Sequence, residues 1–132
     1  MNNIKFPVEI IRGVPVVAAP EEIDITSAGG LRAALLDSAA RGQGTVVVDL
    51  TRTHFCDTAG LHALVAAHKR AQTEAGQVLL VIPDPGVLRI FAITGLDQVI
   101  PSFTSLEEAL AQVPALASQP PHPPAATSTE TS

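Results

Sequence analysis

The stretch Thr45–His62, TVVVDLTRTHFCDTAGLH, constrains the fold of this chain more than any other. Val46, Val47 and Val48 follow one another without polar alternation, and turn-forming residues bound the run. A continuous β-branched run of this kind reads as a strand covered on both faces, the usual situation inside a parallel sheet. Thr51 to His54 form a polar bend. Asp57-Thr58-Ala59-Gly60-Leu61 then reads as a helix start, because Asp57 or Thr58 offers a side-chain oxygen to unpaired backbone N–H groups. The Thr58 hydroxyl falls where those donors and the positive end of the helix dipole favour an anion. A threonine presented this way is placed to carry a phosphate.

The rest of the chain alternates strand and helix signals. Val8–Arg12 and Val14–Ala19 read as two short strands parted by Gly13, a hairpin or a bulged edge pair. Pro15 suits an edge strand, where no ladder donor is missed. Pro20 to Asp24 reads as a loop, and Thr26 or Ser27 caps a helix to about Ala40 with Leu31, Ala34, Leu35 and Ser38 on one face. After the central strand, Leu61, Leu64, Val65 and His68 share a helix face, continued by Ala71 and Ala75. Gly76 suits a left-handed position behind that helix. Gln77–Ile82 is a second buried strand. Gly86–Thr94 is a short helix with Leu88 and Phe91 inward, stopped by Gly95. Val99-Ile100 is a short strand, and Ser105-x-x-Glu108 is a capping box for the last helix. Such alternation with short loops predicts an α/β fold: a mostly parallel sheet of about five strands, an antiparallel N-terminal edge pair and about four helices. Function in these sheets gathers at the carboxyl ends of the strands, where Thr58 and the loops at Asp24 and Asp84 would meet.

Composition narrows the function. At 132 residues the chain has room for one core. The domain is expected over residues 1–113; residues 114–132 hold five prolines among Ser, Thr and Ala and read as a disordered tail. The net charge of −5, with only 8 Lys and Arg, argues against nucleic acid as a direct partner. No apolar run approaches the ~20 residues of a membrane span. The single cysteine, Cys56, has no internal partner, which points to a cytoplasmic home and a packing role. His62 and His68 are six apart and do not form the i, i+4 pair of a metal site, so His68 reads as half-buried packing and His62 as part of a partner surface. No cofactor, metal ligand set, phosphate loop or nucleophile elbow is legible, and the chain reads as a non-enzyme.

Phe55-Cys56-Asp57-Thr58-Ala59-Gly60-Leu61 after a VVVDL strand resembles the signature of STAS domains, a family that includes the bacterial anti-sigma factor antagonists. Three further blocks match in order: Ile23-Asp24, then Val87-x-Arg89-x-Phe91-x-x-Thr94-Gly95-Leu96, then Phe103-x-Ser105-x-x-x-Ala109-Leu110. The resemblance spans roughly Val8 to Val113. It implies a STAS fold and a phosphorylated hydroxyl residue after the Asp, which here is Thr58. Many antagonists carry Ser at that position and Ser or Thr beside it; this chain has Thr58 and Ala59.

The resemblance further implies partners: an anti-sigma factor with serine/threonine kinase activity, bound by the unmodified chain to free a sigma factor, and a phosphatase that resets the switch. The expected partner surface is Asp24, Asp57, Thr58, Ala59, Gly60, His62 and Asp84. The alternative is a STAS subunit packed on the ATPase of a bacterial lipid transporter, in which DTAGL is an interface cap with no phosphate chemistry.

Overall fold

A computed structural model describes residues 6–41 and 44–113. The elements run β1 (Val8–Ile11), β2 (Val14–Ala18), β3 (Glu22–Ile23), α1 (Ala28–Arg41), β4 (Thr45–Asp49), β5 (Phe55–Cys56), α2 (Thr58–Gln72), β6 (Gln77–Val81), α3 (Pro85–Thr94), β7 (Ser102–Phe103) and α4 (Leu106–Gln112). Five strands form one sheet in the order β1-β2-β4-β6-β7. Only the β1–β2 pair is antiparallel. The expected α/β architecture is therefore present, with the triple-valine strand at its centre.

The central strands are apolar on both sides because both sides are covered. Val46, Val48, Val78 and Leu80 pack with Val17, Leu31, Leu35, Leu64 and Phe91 under α1, α2 and α3. Val47, Leu79 and Val81 face the other way, against Ala109 and Leu110 of the last helix and Val113 just after it. At roughly 25 cal/mol per Å², the aliphatic side chains of these two layers supply most of the folding drive.

Several local expectations change. The β1–β2 hairpin closes through Arg12 (φ 55°) and Gly13 (φ 79°). Two positive φ values mark the two-residue turn whose twist suits a hairpin. Pro15 sits in β2, which lies inside the sheet rather than at its edge. It is accommodated because the ladder to β4 begins one residue later, at Val16↔Val47. The loop expected at Pro20–Asp24 contains β3, which pairs in parallel with β5 as a separate two-stranded sheet. Thr53 Oγ1 donates to Pro20 O at 2.7 Å, and His54 N–H to Glu21 O at 2.9 Å, so the polar bend after β4 is stitched to that same segment.

Val99-Ile100 is not a strand. Leu96–Gln98 form a 3-10 turn, the N–H groups of Val99 and Ile100 both donate to Leu96 O at 2.9 Å, and Ile100 plugs the core. The strand comes two residues later, at Ser102–Phe103 against Leu80 and Val81. Behind α2 the left-handed residue is Ala75 (φ 62°), not Gly76. Gly76 is required for a different reason: a Cβ there would lie 1.9 Å from Gly44 O. Ala75 is exposed and outside the helix, so it does not extend the buried stripe. Ser105 caps α4 by accepting from Glu108 N–H at 3.1 Å. Glu108 reaches back one residue further than a capping box requires, to Thr104 N–H and Oγ1–H.

Candidate functional site

The two-stranded sheet β3–β5 builds the site. Its parallel register, Ile23↔Cys56, brings the chain out at Asp24 and Asp57 side by side, and Asp57 N–H donates to Ile23 O at 3.0 Å. Asp57 then leaves in an extended conformation (φ −92°, ψ −174°), and its Oδ1 accepts from Gly60 N–H at 3.0 Å. A carboxylate in that place satisfies one of the orphan donors at the start of α2. Asp57 is thus the cap, and Thr58 is the first residue of a 15-residue helix. Thr58 is exposed, Ala59 half-buried and His62 exposed one turn on. The N–H groups of Thr58 and Ala59 have no protein acceptor among the described residues. Thr58 therefore presents an exposed side chain beside those two backbone donors.

Gly60 is buried, and its burial is what lets α2 approach so closely. A Cβ there would lie 2.6 Å from Ile23 Cγ2, 2.8 Å from Cys56 Sγ and 2.8 Å from Ile23 O. Cys56 fills the remaining space. Burial pushes its thiol up to about 12, with the neighbouring Asp57 charge adding to the effect. The thiol stays neutral and serves packing, since the thiolate is the reactive form. Asp24 is half-buried and holds Thr26: Oδ1 accepts from the Thr26 hydroxyl at 2.6 Å and from its N–H at 2.9 Å. Those hydrogen bonds, the hydroxyl first, keep its carboxyl below the ordinary carboxylate range. Neither Thr26 nor Ser27 turns its hydroxyl onto α1; Ser27 donates instead to Glu22 O at 3.1 Å.

Asp84 caps the other short helix, accepting from Gly86 N–H at 2.8 Å. Thr58 is met by the opposite end of that helix. A groove of about 280 Å³ runs between α2 and the end of α3, with Leu61, Val65, Leu96 and Val99 as its apolar lining and Thr58 and His62 at one side. Ten helical residues, about 15 Å, separate Asp84 from that end. The structure therefore brings Asp24, Asp57, Thr58, Ala59 and His62 together and leaves Asp84 at the far end of α3.

The groove and β3–β5 were missed in the sequence. The available signal was the apolar residue next to each break, Val99 after Gly95 and Phe55 after the bend, which reads as core until the fold shows it exposed. His68 lies apart from the site. It is 3% exposed, more deeply buried than its spacing implied, and its Nδ1 accepts from Val78 N–H at 3.1 Å. Among the described residues no group of three or more His, Cys, Asp and Glu is placed to hold a metal, and no helix is long and apolar enough to cross a membrane.

The family model of the STAS domain matches residues 5–109. The chain belongs to the STAS family. Among solved STAS structures, an anti-sigma factor antagonist from Mycobacterium paratuberculosis is 32% identical, covers 81% of this chain and 91% of its own, and superposes with a TM-score of 0.72. BtrV of Bordetella bronchiseptica, provisionally named an anti-sigma factor antagonist, is 27% identical over 82% of this chain and 93% of its own length. The Bacillus antagonist SpoIIAA, solved unphosphorylated and phosphorylated, shares the STAS fold at 23% identity, with TM-scores of 0.66 and 0.60 and 82% of this chain covered in both. The unphosphorylated form is covered over 95% of its chain and the phosphorylated one over 98%.

Proposed function

We propose that this STAS protein is an anti-sigma factor antagonist whose binding is switched off by phosphorylation of Thr58. The unmodified chain binds an anti-sigma factor that is itself a serine/threonine kinase, which frees the sigma factor. The kinase then modifies Thr58 and releases the antagonist, and a phosphatase restores it. The single observation that carries this reading is the exposure of the Thr58 hydroxyl on the first residue of α2, beside an already occupied Asp57 cap. The names of the relatives support the partner class, and the two solved states of SpoIIAA support a phosphorylation switch on this fold.

The physics of the switch follows from the neighbours. A phosphate adds about −1.5 to −2 charges. Asp57 and Asp24 flank it, so a partner surface that accommodated a hydroxyl would face a cluster of negative charge. A loss of ~3 kcal/mol weakens binding more than a hundredfold. Asp24, Asp57, Ala59 and His62 would touch the partner. Gly60 would contribute by holding α2 in place, and Asp84 by closing α3 rather than by contact.

Incubation with each purified anti-sigma factor kinase of the source organism and ATP, followed by mass spectrometric mapping, tests the assignment. Phosphate is expected on Thr58. Thr58→Ala is expected to bind its kinase permanently and Thr58→Glu poorly. Equal phosphorylation of the Ala variant would remove Thr58 as the acceptor.

A further inference from the structure

Of the six large apolar side chains exposed on the described residues, four lie on the segments that follow β3, lead into α2 or close α3. Ile25 (78% exposed) follows the end of β3, and Phe55 (45%) lies on β5 just before the Asp57 cap. On the other side of the α2 start, Ile93 (76%) and Val99 (47%) flank the end of α3. Val99 and Thr58 line the same groove, with Leu61, Val65 and Leu96. The remaining two, Val8 and Ile10, sit on the edge strand β1. An apolar concentration of this kind is what a protein-binding surface looks like before its partner covers it.

We infer that the groove between α2 and the end of α3 is the anchor pocket for the anti-sigma factor. The occupant is a large aliphatic side chain of the partner with a basic residue beside it. This inference rests on the reading under Proposed function and specifies where its affinity resides. The aliphatic part follows from the lining, and its volume of about 280 Å³ has room for one such side chain. The basic part follows from the rim. Asp57 and Asp97 directly adjoin the groove residues Thr58 and Leu96, and Asp24 leaves β3 beside Asp57, whereas no Lys or Arg is among the lining residues. A second copy of this chain would bring the same acidic rim against itself, which disfavours it as the occupant.

The placement also defines how the switch reaches the pocket. Thr58 is itself a wall of the groove. A phosphoryl group on its hydroxyl would stand at the mouth and draw water to a surface that must become dry for the anchor to seat. Burial of a charge without a partner is far costlier than burial of a hydroxyl.

The test uses the full chain and the purified kinase that modifies it. Ile93→Ser with Val99→Ser removes one exposed apolar side chain that lines the groove and a second that precedes its lining residue Thr94. Val8→Ser with Ile10→Ser removes a comparable pair from β1 and serves as the control. By calorimetric titration without ATP, the groove pair is expected to weaken binding at least tenfold and the β1 pair less than twofold. Equal losses, or no loss from the groove pair, would overturn the inference. If no kinase binds the unmodified wild type, the functional reading fails first, and the two failures are thereby separable. Methyl-labelled Val65 and Val99 give a second readout independent of substitution, and unshifted methyls in the complex would also overturn it. Light scattering of the free protein covers the remaining occupant: a dimer abolished by the groove pair would replace the partner with a second copy.

Discussion

Gly60→Ala is the sharpest test of how the site is built. The new methyl would sit 2.6–2.8 Å from two side-chain atoms and one backbone oxygen. Carbon atoms in contact rest at roughly 3.5–4.0 Å. Something must therefore move by about 1 Å. Cys56 Sγ can give a little, but Ile23 O is tied to Asp57 N–H and cannot move without loosening the joint between β3 and α2. Overpacking of this kind costs ~1–3 kcal/mol. The Asp57–Gly60 cap bond lies in the same place and is worth ~1 kcal/mol. Against both stands the better helix propensity of Ala, at most about 1 kcal/mol. The net expectation is a loss of ~2 kcal/mol, or roughly 8 °C in melting temperature for a domain of about 100 residues. Urea unfolding would measure it as a lower midpoint at unchanged slope. Gly29→Ala is the matched control, since a Cβ there meets nothing within 4 Å. It should stabilise by ~0.5 kcal/mol through the unfolded state and helix propensity. Adding Cys56→Ala to Gly60→Ala should recover only part of the loss, because the Ile23 carbonyl remains. A Gly60→Ala variant as stable as wild type, or more stable, would show that α2 is not held by this close approach.

Three further outcomes are expected. Burial lowers the pKa of His68, so the native state keeps it neutral while the unfolded chain takes a proton; its contribution is complete above the ordinary value near 6.5 and declines as pH falls through the lowered folded value. Urea titrations from pH 7.5 to 5 should show that decline in wild type, and His68→Gln should flatten it. Gly76→Ala should prevent folding or cost more than 4 kcal/mol, because its Cβ would lie 1.9 Å from a backbone oxygen of Gly44; a native-like amide spectrum at 25 °C would contradict this. Phosphorylation of Thr58 should shift amides of Asp57–Leu64, of the Asp24 loop and of the groove at Thr94–Val99 while leaving β6 and α4 unmoved; wide shifts in β6 would indicate a change of fold instead.

The central strands, the four helices and the Thr58 helix start were legible because each is written locally. Val46–Val48 reads as covered on both faces, and Asp57 or Thr58 reads as the cap of the next helix, a choice the fold makes in favour of Asp57. What was not legible depends on distant pairing. β3 and β5 have two residues each, too few for any periodicity, and they exist because Ile23 and Cys56 meet across a crossover. Val99-Ile100 carries a strand's composition but spends it on a turn that plugs the core, since the chain still has to reach Leu80 and Val81 two residues later. Gly76 is needed where the sequence places it, but not for a left-handed φ. A left-handed residue and a close backbone contact both call for glycine, and only the fold shows that Ala75 takes the first role and Gly76 the second.

The same distinction separates the residues of the motif itself. Cys56 and Gly60 are buried, and Asp57 spends its carboxylate on the cap; these three fix where α2 begins. Thr58 and His62 are exposed, and no side-chain hydrogen bond of either is present among the described residues. A side chain with no structural task can gain a phosphate without disturbing what holds it, because the aliphatic layers behind it are close-packed and contain no polar network for a new charge to pull apart. Under the proposed switch the fixed placement of Asp57 and Gly60 would bear on function directly: it holds the Thr58 hydroxyl at the wall of the groove, where the charge of a phosphate would oppose a partner that must exclude water.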